Sequence, residues 1–235
     1  MIKNILFDLD GTLLPMDNNK FMKLYFRGLM QVFPEIDPQT LYMTVMEGTK
    51  AMVEDSSDLT NLEVFANSFT SKIKMNPEEV MGRFFKYYET DFFKVKDATW
   101  VSTNMVQAVK TLKEKGYSLY IATNPVFPLV ANKERITWAN LNINDFEYVS
   151  SLERNHYCKP NIKFFEEFIG TNELNPHECM MVGNDTYEDM VITRLNVKTY
   201  LITDCQIDDN DFRFKSDYQG SSEDFLAFVY ALEAI

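Results

Sequence analysis

The chain is short of the residues that build several familiar kinds of site. It holds two histidines, His156 and His177, with no partner pattern around either, so a histidine-based triad or zinc centre has little to stand on. Its three cysteines, Cys158, Cys179 and Cys205, show no metal-ligand spacing, and an odd count argues against a disulfide framework. They read as buried, reduced thiols of a cytosolic chain. Positive charge is also scarce. Lys and Arg number 23 against 35 Asp and Glu, a formal net charge of −12, which disfavours nucleic acid and anionic membranes as partners because both need a basic footprint. No apolar run approaches the roughly 18 residues of a membrane helix. Asp8 and Asp10 break the first apolar stretch where a signal peptide would continue. A cytoplasmic protein without membrane or nucleic-acid partners is expected.

What is present is ordinary globular material, 235 residues with 46% hydrophobic and 25% charged, enough for one large domain or a domain with an insert. Ile2, Ile5, Leu6 and Phe7 form an apolar run that stops at polar residues and Gly11, a buried strand feeding a loop. Further strands are expected over Tyr117 to Ala122, Cys179 to Val182 and Val197 to Ile202, with a weaker one around Tyr148 and Val149. Helical stretches lie between them, at about 102–115, 127–140, 161–170, 186–195 and 222–233, the first closed by Gly116. Such alternation calls for an α/β fold whose parallel sheet carries helices on both faces. A late acidic run, Asp204, Asp208, Asp209, Asp211 and Asp217, reads as a solvated loop.

Residues from about 17 to 95 break this rhythm. Leu62, Phe65, Ala66, Phe69 and Ile73 share one helical face, and Asp37-Pro38 and Asn76-Pro77 each read as a cap followed by proline in the first turn. The Phe and Met stripes here read as the core of a small helical bundle rather than a cofactor box. An α-helical insert therefore sits between the first and second strands.

Directly after the first strand comes Asp8-Leu9-Asp10-Gly11-Thr12. At residue usage of about 5% each, four fixed positions recur by chance in roughly one chain per thousand of this length, so the pattern outweighs a chance turn. The carboxyl ends of parallel strands are where open α/β sheets place ligands. Two carboxylates at this spacing can serve a hard cation through oxygen. One can also attack phosphorus while the other handles protons. Three more short elements follow in order: Thr123 after Ile121-Ala122, Cys158-Lys159-Pro160 before a helix, and Gly183-Asn184-Asp185-Thr186-Tyr187-Glu188-Asp189 at a strand end.

In these four elements the chain resembles the haloacid dehalogenase superfamily of phosphohydrolases, over essentially its whole length. The resemblance implies a Rossmann-like parallel core of residues 1–15 and 97–235 with an inserted α-helical cap domain of residues 16–96. It implies a magnesium-dependent phosphatase acting on a small phosphorylated metabolite through an aspartyl-phosphate. Asp8 is then the nucleophile and Asp10 the general acid and base, while Thr123, Asn124 and Lys159 bind the phosphoryl group. Mg2+ is held by Asp8, by the Asp10 main chain and by Asp185, with Asp189 and Asn184 in support. The chain departs from the family pattern at Asn184, where an aspartate usually follows the glycine. Asp185 and Asp189 keep the shorter of the family's two spacings, Asn184 and Asp189 the longer.

Alternatives within and outside this chemistry remain. A sugar-phosphate mutase shares all four motifs, and a regulatory protein on an inactive scaffold would explain Asn184. Halide removal is disfavoured, since the dehalogenases lack the second aspartate that Asp10 supplies. Lys20, Lys23 and Arg27 recur at spacings of three and four, a face that could attract a second anionic group near the mouth of the site.

Overall fold

The computed structural model describes residues 1–208 and 214–235. At its centre is a parallel sheet of six strands: β1 (Asn4–Phe7), β2 (Ser118–Ile121), β3 (Tyr148–Val149), β4 (Cys179–Gly183), β5 (Lys198–Ile202) and β6 (Tyr218–Gly220). Their order is β3-β2-β1-β4-β5-β6. From β1 the chain builds outward to β2 and β3, then returns to the other side of β1 with β4. The carboxyl ends of β1, β2 and β4 therefore flank the point where strand order reverses, the crevice in which sheets of this kind bind ligands. Apolar residues run unbroken along β1 because both sides of the sheet are covered. Ile5 and Phe7 join one core layer and Leu6 the other.

Four helices follow β1 with no strand between them: α1 (Asn18–Val32), α2 (Pro38–Glu54), α3 (Asn61–Ile73) and α4 (Pro77–Thr90). Each start is written in the sequence. Asp17 accepts from Lys20 N, and Asp37 accepts from Thr40 N with Pro38 in the first turn. Thr60 and Glu63 bond reciprocally, and Asn76 caps ahead of Pro77. The bundle's interior is aromatic: the Phe69 ring lies 5.7 Å from Phe33, 5.9 Å from Phe65 and 5.3 Å from Phe84. The chain leaves the sheet and returns to it side by side. Asp17 N donates to Ala98 O at 2.9 Å and Trp100 N to Pro15 O at 3.1 Å, beside an antiparallel bridge between Met16 and Thr99.

The remaining helices are α5 (Thr103–Glu114), α6 (Leu129–Trp138), α7 (Ile162–Thr171) and α8 (Ser222–Ala231). Helices α5 and α8 pack together on one face of the sheet, with Phe225 edge-on to Phe7 at 6.1 Å. On the opposite face, Phe164, Phe165 and Phe168 of α7 meet Leu6 and Met181. Among the described residues no helix is long and apolar enough to cross a membrane.

Three expectations need correction. Residues 186–195 do not form one helix; only Met190–Leu195 coil, as a 3-10 helix, because the side chains of Asp185 and Asp189 bond the main chain ahead of it. Strand β6 was not expected, since Tyr218-Gln219-Gly220 is short, polar and largely exposed at the sheet edge. The acidic run is more than a solvated loop. Asp204 accepts from Ser222 N at 2.7 Å and Oγ at 2.8 Å, and Asp217 accepts from Thr199 N at 3.0 Å. Asp208 accepts from Thr186 Oγ1 at 3.1 Å, while Asp209 and Asp211 lie outside the described residues.

Phe69→Ala removes a fully buried ring from the aromatic bundle and should cost about 3–5 kcal/mol of stability. Urea unfolding followed by circular dichroism measures this, and a loss under about 1 kcal/mol would show that the bundle interior is loosely packed.

Candidate active site

Asp8 is the first residue past β1, and its main-chain N–H donates to Val182 O at 2.9 Å. The strand thus delivers its carboxylate to the sheet rim, where it is almost wholly buried. Gly11 turns the chain back with φ of 85°, a region that disfavours other residues. A Cβ at Gly11 would also run into the Asn184 carboxamide. Thr12 Oγ1 donates to Asn184 Oδ1 at 2.9 Å, while Asn184 Nδ2 donates to Cys205 O at 2.7 Å. The departure at Asn184 therefore has a local cause. That position must donate to a carbonyl on one side and accept from a hydroxyl on the other, which an ionised aspartate cannot do.

Lys159 is the hub. Its ammonium is buried and donates to Asp8 Oδ1 at 3.0 Å and to Asp189 Oδ1 at 2.6 Å. Burial alone would lower its pKa, but the two carboxylates outweigh that and raise it well above the usual lysine value. Asp8 is pushed up to about 8, chiefly by burial, with Asp189 and Asp10 adding to the rise and Lys159 opposing it. The other oxygen of Asp189 accepts from Asn184 N and Asp185 N, both at 3.0 Å. A Cβ at Gly183 would collide with the Asp189 carboxylate, so glycine there admits the close approach.

Asp185 is half-buried, and its Oδ1 accepts from Tyr187 N and Glu188 N at 2.8 Å each. Burial raises its pKa, against the pull of those two bonds. Thr123 is buried where the chain leaves β2, and its carbonyl accepts from Ser150 Oγ at 2.6 Å. The Asn124 side chain bonds within the protein. Its Oδ1 accepts from Lys159 N at 3.2 Å, and its Nδ2 donates to Lys159 O at 3.3 Å and Glu188 Oε2 at 2.9 Å. Asn124 thus fixes the main chain of Lys159. Glu188, overlooked in the sequence, is pushed up to about 7, mainly by burial.

Arg135 was also missed. It is fully buried on α6, and its guanidinium donates to Asp10 Oδ2 and Asn132 Oδ1 and lies 4.3 Å from the centre of the Phe127 ring. Burial raises the Asp10 pKa against the opposing charge of Arg135. The second oxygen, Asp10 Oδ1, is buried with no hydrogen-bond partner among the described residues. A signal existed, since Arg135 falls on the same helical face as the apolar residues Ala131, Ile136 and Trp138. Lys20, Lys23 and Arg27 make no contact with Asp8, Asp10, Lys159 or Asp185 among the bonds of the described residues. All three are exposed, and Lys20 Nζ donates to Asp97 O at 2.5 Å. It is the opposite side of α1, with Tyr25 and Phe26, that is buried.

A buried carboxylate, a lysine bridging it to the loop after β4, and a second aspartate in the same turn all meet at the reversal point of the sheet. The profile of the haloacid dehalogenase-like hydrolases matches residues 5–202. The chain belongs to that family. It is an enzyme, a hydrolase. Among curated proteins it is similar to the glyceraldehyde 3-phosphate phosphatase of Pyrococcus abyssi, 28% identical over 202 residues, covering 81% of this chain and 76% of that protein. The glyceraldehyde 3-phosphate phosphatase of Methanothermobacter thermautotrophicus is 25% identical over 194 residues, covering 81% and 80%. Among solved structures, an HAD phosphatase from Thermococcus onnurineus superposes over 100% of both chains with a TM-score of 0.63 at 19% identity, which speaks for the fold.

Magnesium fits the residues present. Asp8, Asp10, Asp185, Glu188 and Asp189 gather near Lys159 and Arg135, and burial, with a smaller push from Asp189, raises Asp8 and Asp185. Mg2+ takes one or two carboxylates and fills its octahedron with waters and phosphate oxygens, so Asp8 and Asp185 would be enough. Among the described residues no three His, Cys, Asp or Glu side chains form a ligand cluster.

Lys159→Met should destabilise the metal-free protein by about 3–5 kcal/mol near neutral pH, because two buried carboxylates lose their counter-charge. The wild-type Asp8 carboxyl is already raised to about 8 from an ordinary 3.8, and losing the lysine raises it further. Below about pH 8 both folded proteins hold that proton, so its contribution to the loss is level there. Above about pH 8 the wild type releases the proton while the variant keeps it, and the loss grows as pH rises. Urea titrations at pH 6.5 and 9.5 measure the difference, and equal losses at both would contradict it.

Proposed function

We propose that the chain is a magnesium-dependent phosphatase that hydrolyses a small phosphate monoester through an aspartyl-phosphate on Asp8. The observation that carries this reading is the Lys159 ammonium held between Asp8 and Asp189 at the carboxyl ends of β1 and β4. The phosphatase relatives support it, and glyceraldehyde 3-phosphate, for which they are named, is a small ester of the expected kind.

The Asp8 carboxylate attacks phosphorus in line, and the ester oxygen departs on the opposite side. Asp10 protonates that oxygen as it leaves, then takes a proton from the water that cleaves the aspartyl-phosphate. Its raised pKa favours the acid role, and Arg135 fixes its carboxyl in place. Lys159 and the Thr123 hydroxyl hold the charge spreading over the phosphoryl oxygens, where most of the catalysis of phosphoryl transfer lies. Asn124 acts by holding Lys159. Asp8, Asp185 and the Asp10 carbonyl are the residues that would hold Mg2+, with Asp189 bracing the loop and Asn184 tying it to the first turn. When bound, the ion supplies positive charge to the phosphate and lets Asp8 stay ionised at neutral pH. The four helices of residues 16–96 serve as a cap that excludes water and selects the leaving group.

Release of phosphate from p-nitrophenyl phosphate with Mg2+ tests the reading. Asp8→Asn should abolish it and Asp10→Asn should lower kcat by about 10²–10⁴, with EDTA reducing the wild type to background. Turnover by Asp8→Asn comparable to wild type would sink the proposal.

A further inference from the structure

Beneath the helical layer lies a cavity of about 240 Å³. Tyr25, Phe65, Phe84 and Tyr88 close it from the helices, and Phe127 and Leu152 close it from loops over the sheet. No charged side chain among the described residues lines it. The few polar atoms in its wall are already engaged. The Tyr25 and Tyr88 hydroxyls bond one another at 2.7 Å, and Thr49 Oγ1 donates to Val45 O at 3.0 Å.

The cavity is joined to the chemistry through a single ring. Phe127 forms part of its wall and carries the Arg135 guanidinium, which is paired with Asp10. It also stands only three residues beyond Asn124, whose carboxamide holds Lys159. The cavity wall is thus linked to the Asp10 carboxyl by two successive contacts, Phe127 to Arg135 and Arg135 to Asp10.

Resting on the phosphatase reading above, we propose that this cavity receives the leaving group of the substrate, and that the leaving group is an apolar aryl or alkyl alcohol rather than a polyol. The walls decide this. A polyol would exchange water for mostly apolar surfaces that offer far fewer partners than it has hydroxyls, at a cost for each one left unpaired. An aryl or alkyl body gains by leaving water and packs against aromatic faces. A dry engineered cavity of ~150 Å³ takes benzene, so the larger volume here suits one ring with a short chain, or two fused rings. This sets the chain apart from the small polar ester for which its relatives are named.

The experiment compares 2-phenylethyl phosphate with glycerol 1-phosphate, two primary alkyl esters, using the full chain with Mg2+. The expected result is a kcat/KM at least about tenfold higher for the apolar ester, most of it in KM. Met46→Gln, a change at a half-buried residue lining the cavity, should cut that preference severalfold, with an unchanged circular dichroism spectrum and urea midpoint as proof of folding. Met46→Leu should keep the preference. Equal or better turnover of glycerol 1-phosphate by the wild type would overturn the inference while the phosphatase reading stands. A preference unmoved by Met46→Gln would overturn it too, placing selectivity elsewhere. Release of phosphate from neither ester, nor from p-nitrophenyl phosphate, would overturn both.

Discussion

The site is organised around one buried ammonium. Taking Lys159 and its two carboxylate partners out of water costs several kcal/mol per ion in general terms, and a hydrophobic substitute would have been easier to fold. What the arrangement provides is a fixed relation between β1 and the loop after β4, two segments separated by most of the chain. Asp8 belongs to the first and Asp189 to the second, and Lys159 touches both. None of the three can move without leaving a charge unpaired in the interior.

Secondary contacts serve that relation. Asn124 grips the lysine's own main chain from both sides, so the helix that follows, α7, is not left to position it alone. Asn184 joins the first turn to the segment at Cys205, and Asp189 gathers the amides of its own loop. These are hydrogen bonds in a low-dielectric setting, where a satisfied network is rigid and a half-satisfied one is costly. Rigidity of this kind suits a reaction in which the protein contributes mainly position and charge.

The motif Asp8-x-Asp10-Gly11-Thr12, the lysine before Pro160 and the acidic stretch after Gly183 could all be read before any coordinates. The first and last follow apolar runs ending in polar residues, and the lysine stands just before a proline and a helix, so local pattern marked all three. The sheet class and the helices of residues 17–95 were legible for the same reason, through periodicity and caps such as Asn76-Pro77. Long-range pairings were not. Nothing in the sequence near Arg135 points to Asp10, and nothing near Asn184 points to Cys205, because such partners are set by tertiary geometry. The loop after β4 misled for a different reason. Its spacing is helical, but Asp185 and Asp189 outcompete the helix for the main-chain amides. Strand β6 carries too little apolar signal to be seen, and the cavity is a property of how four helices fail to close completely, which no single stripe records.

The paired hydrogen bonds at Asp17–Ala98 and Pro15–Trp100 carry a consequence for how such a molecule can change over evolutionary time. An excursion whose two ends are stitched together enters and leaves the sheet at one place, and its other bonds to the core, such as Asn61 N to Asn155 O, reach loops rather than strands. Its length, sequence and interior can be rewritten without altering strand order or the catalytic turn, much as domain insertion succeeds where ends lie close together. Selectivity and chemistry are thereby free to drift at separate rates in one polypeptide.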